Sequence, residues 1–362
     1  MLRHFSLLIS FFFVLPIVAQ DSSESSPSPQ EFFLTDLAKA KQSASENSKL
    51  LLVLFFKENS PLCERVAASL KEGLAAIDKL VPLKFGETDD VQTRFKWLLN
   101  AAPSVLIVEP KSETVLARLE DVERMETAVE WVKDVLASEE KMNALKERLK
   151  AKDDDAEAIY GLGEIEQLRG LSDDAQTRFE RVIKVDEENK QGFAVKAAAK
   201  LLFIYLEKKK QQDVTSTAEK IKKWDKENKS GFVDDADFAV AKSFQFLNRM
   251  PDVAARRWEE FLKNHPQSEF YPEALLNLGL VEFGRGEREK AKVHWQKAIE
   301  LSAKESMVAK KARAFLKNMD IPLPSSAVGK EGSPEQKPQD LPKETSPDEP
   351  KEESKREIEK ER

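Results

Sequence analysis

The sequence predicts an α/β domain, then an all-α array of helical hairpins, then a nonperiodic tail. Three observations lead to this reading. Over residues 31–137, short apolar runs alternate with stretches of helical spacing; over 139–319, strand patterns give way to an internal repeat; from about Asp320, proline and charge replace periodicity. A length of 362 residues suits two to three domains. With 41% hydrophobic and 34% charged residues the chain has apolar material for real cores, which excludes a wholly disordered or fibrous protein. A net charge of −7 supplies no general attraction to nucleic acid. One cysteine, Cys63, excludes an internal disulfide framework, a cysteine-based zinc finger and an iron–sulfur cluster.

Residues 1–19 read as a secretory signal peptide: Arg3 and His4 precede an apolar run over 5–18, and Ala19 stands at a cleavage point. That run is shorter than the ~20 residues a spanning helix needs, so the mature chain is expected to be exported, periplasmic or secreted, without an integral membrane span. Residues 20–30, rich in serine and proline, read as a linker. At the far end, residues 320–362 carry seven prolines among lysines and glutamates and read as a disordered acidic tail.

Within 31–138, residues 31–48 have helical spacing and LLLVLFF over 50–56 reads as a buried strand. Residues 61–80 are helical, LVPLKFG over 80–86 is a second strand, and 89–100 is a helix opened by acids. PSVLIVEP and TVLARLE form two strands joined by a turn, and a helix over 125–137 closes the domain. Such alternation predicts a sheet covered on both faces, ending in an antiparallel hairpin.

The stretch LVLFFKENSPLCE resembles the strand, loop and helix that present the Cys-x-x-Cys motif of thioredoxins. Ser60, Pro61, Leu62 and Cys63 fall on that motif, and Pro103 falls on the family's cis-proline. The resemblance implies a thioredoxin-like domain over 31–138 with Cys63 as redox candidate. The motif is degenerate, however. Ser60 replaces the first cysteine, so the chain cannot close a dithiol cycle by itself. Leu54 stands where the family has a buried acid, and Asn59 where it has an aromatic residue. The residues also have a plain structural reading, with Ser60 an N-cap, Pro61 a first helical residue and Cys63 a small core hydrophobe. Single-thiol partner trapping or glutathione-type chemistry through Cys63 is the alternative.

Over 139–319 a repeat is countable. Ala175, Val214, Ala254 and Ala291 each precede a larger apolar or small residue at +4 (Phe179, Ala218, Trp258, Trp295) and another at +7 (Val182, Ile221, Phe261, Ala298). Thirteen residues before each start stand Leu162, Leu201, Ala241 and Leu278 on a preceding helix, with Gly163 and Gly279 following two of them. Small residues on the second helix are expected to allow close approach, and aromatics to fill the groove beside them. The pattern resembles the tetratricopeptide repeat, most clearly over 271–301, while the Leu201 unit departs from it with Val214 in place of the small residue. About four hairpins are expected, capped by the helix over 304–319. The resemblance implies a groove for an extended or helical peptide, and Asn277, Leu280 and Phe283 are the candidates to face it.

The lysine runs 208–210 and 220–223 read as solvated helix ends balanced by Glu207, Glu219, Asp225 and Glu227. Three histidines, two of them beyond the signal, give no basis for a His-rich metal site or a hydrolase triad, and no phosphate-loop, zincin or nucleophile-elbow motif occurs. No cofactor, metal or nucleic acid is expected; a protein or peptide partner is. The sequence thus points to an exported, non-catalytic protein-binding adaptor or assembly factor. A thiol–disulfide oxidoreductase or chaperone acting through Cys63 is the alternative. Similarity of residues 264–279 to repeat proteins of bacterial cell envelopes suggests an assembly role there.

Overall fold

A computed structural model describes residues 32–120, 122–247 and 250–319. The segments read as signal peptide, linker and tail lie outside the described residues. The chain divides after Ala236 into two compact units.

The first unit opens with a four-stranded sheet. Its centre is β1 (Leu50–Phe56), buried along nearly its whole length, as its unbroken apolar run requires of a strand covered on both faces. β1 runs parallel to β2 (Leu80–Gly86) and antiparallel to β3 (Ser104–Val108), and β3 runs antiparallel to β4 (Val115–Leu119), giving the order β2-β1-β3-β4. Alternate side chains feed two cores. Leu52, Leu54 and Phe56 pack with Cys63, Val66 and Leu70 of α2 (Pro61–Leu74) and with Ala128 and Val132 of α4 (Ala128–Ala151). Leu51, Val53 and Phe55 pack with Ala40 and Ala44 of α1 (Leu37–Glu46) and with Trp97, just past α3 (Val91–Lys96).

Three of the expected helices are shorter than the apolar spacing suggested, the one expected over 89–100 spanning only Val91–Lys96. Helix α1 starts at Leu37, where Asp36, itself extended, accepts from the Lys39 amide at 3.0 Å. Leu34 there pairs with β2, donating its amide to Pro82 O at 3.0 Å and accepting from Lys84 N at 2.8 Å. Helix α2 ends at Leu74 and the chain turns before β2 begins at Leu80. On the β3–β4 turn, the Glu113 carboxylate receives Lys41 of α1 and Lys96 of α3, the latter at 2.5 Å, and the Glu113 carbonyl accepts from Trp97 Nε1 at 3.1 Å.

The change of sequence pattern at Ser138 falls inside α4, which runs unbroken through it. Helical hairpins follow: α5 (Ala156–Leu168) with α6 (Ser172–Val185), and α7 (Phe193–Glu207) with α8 (Gln211–Trp224). The turn between α5 and α6 lies directly on β4. There the Arg118 amide donates to Arg169 O at 2.8 Å, and the Trp131 indole of α4 donates to Leu168 O at 2.8 Å. Gly170 has φ +70°, and a Cβ on it would lie 2.1 Å from the Arg118 carbonyl oxygen, so both conformation and space demand glycine. Asp186, at the end of α6, is buried and accepts from the amides of Gln191, Phe193 and Ala194 at 2.9–3.2 Å, which fixes the start of α7. Asp225, at the end of α8, does the same for the Lys229 and Ser230 amides at 2.7 and 2.8 Å.

The division falls within α9 (Phe232–Phe246). In the second unit the rest of α9 packs on α10 (Pro251–Asn264), Phe238 lying 5.2 Å from Trp258 and 5.8 Å from Phe261. Helix α11 (Tyr271–Gly284) pairs with α12 (Arg288–Glu300), and α13 (Met307–Lys317) closes on both, with Phe315 5.3 Å from Trp295. All twelve repeat positions on the second helices are buried, as are Leu162, Leu201, Ala241 and Leu278. The small residues of the second helices are buried as expected, and in two hairpins a glycine of the first helix adds a further close approach. A Cβ on Gly163 would lie 2.7 Å from Phe179, and one on Gly279 2.5 Å from Trp295. In the second hairpin the register puts buried Leu202 at the glycine position and buried Ala218 at the aromatic one, so the bulk is exchanged between the helices.

Candidate functional site

Two places collect the residues singled out by the sequence. The first is the loop over 57–60 at the end of β1. Ser60 is the N-cap of α2, accepting from the Cys63 amide at 3.4 Å, with Pro61 at the first helical position. Cys63 follows inside the first turn with no exposed surface, its thiol free and enclosed by the core that α2 shares with β1 and α4. Leu62 is half-buried against the same core, and Asn59 turns the loop at φ +58°. The pairing of Phe55 with Ser104 brings Pro103 beside this loop, and the Ala102–Pro103 peptide bond is cis. Ser104 donates its hydroxyl to Ala101 O at 2.5 Å, and Ala102 packs on the core that holds Cys63. The motif residues and Pro103 thus share one end of the sheet, but the sulfur points inward. Leu54, at the position of the family's acid, is fully buried among apolar neighbours.

The second place is α11. Leu280 and Phe283 are half-buried and pack on the core of Trp295, Leu276 and Phe315, with Phe283 5.6 Å from the Trp295 ring. They serve the junction of α11 with α12 and α13. Asn277 differs. It is 5% exposed, and its Nδ2 is buried with no acceptor in reach. Its backbone carbonyl accepts from Gln245 Nε2 at 3.5 Å, and the Gln245 oxygen accepts from the Trp258 indole at 2.7 Å. Asn277 therefore ends a polar chain that runs from α10 through α9 to α11 and stops in an unused donor.

Near it lies a group that the sequence analysis missed. Glu282 on α11 is 3% exposed and hydrogen-bonded to His294 Nδ1 of α12 at 2.7 Å. Burial pushes its carboxyl above the ordinary range, against the hydrogen bond from His294. His265, at the end of α10, meets Asp237 of α9 at 2.9 Å, so both histidines join a first helix to a second. A charged residue within the apolar run of 274–283 was the available signal for Glu282. Among the described residues no group of three or more His, Cys, Asp or Glu side chains is placed to hold a metal ion, and no helix is long and apolar enough to cross a membrane.

No protein-family model matches this chain, and no curated protein is similar to it at a significant level. Among solved structures, it is similar to MamA, with 19% identity over 49% of this chain and 89% of that one, at a TM-score of 0.36. It is also similar to YrrB, described as a TPR protein with an unusual peptide-binding site (17% identity, 53% of this chain and 89% of that one, TM-score 0.38). PilF of Pseudomonas aeruginosa is a third (12% identity, 54% and 88%, TM-score 0.38). These likenesses are loose and span about half the chain. The hairpin architecture rests on the helix contacts described above.

Proposed function

We propose that this protein is an exported, non-catalytic adaptor or assembly factor, in which tetratricopeptide-like hairpins bind a peptide and a degenerate thioredoxin-like domain offers a second docking surface near Pro103. The observation that carries the reading is the buried, unused amide of Asn277 on α11. A buried donor without an acceptor costs about 1–3 kcal/mol, and a peptide whose docking displaces the side chains over Asn277 would supply the missing partner with a carbonyl. The sheet order, with β1 parallel to β2 and antiparallel to β3, supports the thioredoxin-like part of the proposal. The absence of exposed surface on Cys63 favours a core role for the thiol over the alternative of a one-thiol redox cycle. Export rests on the residues of the amino-terminal segment, Arg3, His4 and the apolar run that follows.

A random twelve-residue peptide library displayed on phage, selected against the full chain, tests the proposal. Selected peptides should bind Asn277→Ala about tenfold or more weakly, while the variant unfolds at the same denaturant concentration as the parent or a higher one, because truncation removes a donor that had no partner. Peptides that bind both chains equally, or a library that yields none above background, would overturn it.

A further inference from the structure

The lysines near the end of α8 have a setting that their sequence did not suggest. Trp224, the last residue of α8, donates its indole N–H to the Glu187 carbonyl just beyond α6 at 3.1 Å, tying the ends of the two second helices together. Between them lies a cavity of about 360 Å3 lined by Ile183, Lys184, Glu187, Lys220, Lys223 and Trp224. A lysine in the last turn of a helix ordinarily complements the exposed carbonyl ends there. Here three lysines from two helices line one cavity with a single acidic residue. None of the three has a carboxylate within 4 Å among the described residues, whereas neighbouring Lys190, Lys208 and Lys229 pair with Glu188, Asp173 and Glu227 at 2.5–2.7 Å. The floor is apolar, formed by half-buried Ile183 and an indole whose orientation is fixed by its hydrogen bond.

We infer that this cavity binds an acidic peptide segment, seating one apolar side chain between Ile183 and Trp224 while flanking carboxylates meet Lys184, Lys220 and Lys223. The apolar floor is what selects a peptide: an anion alone would use the amines and leave the indole and Ile183 idle, whereas an aliphatic residue between acids uses both. The site lies in the first unit, on second helices, and is independent of the Asn277 reading.

The test uses the full chain and its own fluorescence. Trp97, Trp131, Trp258 and Trp295 are buried, so collisional quenching reports mainly on Trp224. At low salt, iodide should quench more strongly than caesium, and the triple variant Lys184→Gln, Lys220→Gln, Lys223→Gln should lose that preference. A fluorescein-labelled peptide of glutamates around one central leucine should bind, shield Trp224 from iodide, and weaken about tenfold or more in the triple variant. Replacing its leucine by glutamate should weaken it comparably. Lys190→Gln with Lys229→Gln is the charge control and should stay within about twofold of the parent. Asn277→Ala should leave this peptide unaffected, which separates failure here from failure of the α11 reading. Equal quenching by the two ions would overturn the inference, as would peptide binding indifferent to the triple substitution. Shielding of Trp224 by phosphatidylserine vesicles but not by the peptide would overturn it in favour of a membrane surface.

Discussion

Replacing Gly279 by alanine puts one methyl group into a helix contact that has no room for it. The new Cβ would lie 2.5 Å from Trp295 Nε1 and 2.7 Å from Cδ1. The indole has little room to retreat: it is 1% exposed, flanked by Phe283 and Phe315 at 5.6 and 5.3 Å, and held by its donation to Leu276 O at 3.1 Å. Overpacking of a filled core costs about 1–3 kcal/mol, and weakening the buried indole hydrogen bond adds about 1 kcal/mol. Alanine in a helix interior returns up to about 1 kcal/mol relative to glycine. The net expectation is a loss of about 2 kcal/mol. The same helix supplies the control, since Gly284 closes α11 with nothing within 4 Å of its virtual Cβ. Gly284→Ala should therefore be neutral or raise stability by up to about 1 kcal/mol. Urea unfolding followed by tryptophan fluorescence measures both. If Gly279→Ala unfolds within about 0.5 kcal/mol of the parent, or if the two substitutions cost the same, the packing argument fails.

Cys63 has no exposed surface, so a thiol-specific disulfide reagent should label it at least about a hundredfold more slowly in the native chain than in denaturant; native labelling at the speed of a free thiol would show that the first turn of α2 opens readily. The hydrogen bonds from Lys41 and Lys96 hold the Glu113 carboxyl below its ordinary value of 4.5, so the stability it contributes is present above that value and lost as pH falls through the lower, folded one. Glu113→Gln should accordingly cost about 1 kcal/mol at pH 7, and the gap between variant and parent should close on acidification below the ordinary carboxylate range; a gap that stays constant with pH would refute the assignment.

Much of the α/β domain was legible because a strand buried on both faces must be written as an unbroken apolar run, and β1 is LLLVLFF. The start of α1 was not, since Phe32 and Phe33 continue its apolar spacing while Leu34 is claimed by hydrogen bonds to β2, some fifty residues away in sequence. The hairpin register was readable from its spacing, yet the roles within it were not. Periodicity marks which positions are buried, but whether the small residue of a pair sits on the first or the second helix depends on how closely the helix axes approach. Gly163 and Gly279 show one solution, and Leu202 with Ala218 the reverse. Of the candidate groove residues, Leu280 and Phe283 are half-buried against the core around Trp295, whereas Asn277 kept an unspent donor. Lys220 and Lys223 looked like an ordinary solvated helix end, because the bond from Trp224 to Glu187 spans 37 residues and leaves no local trace.

The two outer strands of the sheet are both met by other backbone. Leu34 takes hydrogen bonds along β2, and Arg169 accepts the Arg118 amide of β4, with Gly170 pressed against the Arg118 carbonyl. A strand from another polypeptide seeking to extend this sheet would first have to evict the chain's own segments, and on the β4 side it would also have to detach the first helical hairpin. The arrangement protects a strongly apolar domain from templated association. Any contact with another chain is thereby turned away from main-chain pairing, which is indifferent to sequence, and toward side-chain surfaces.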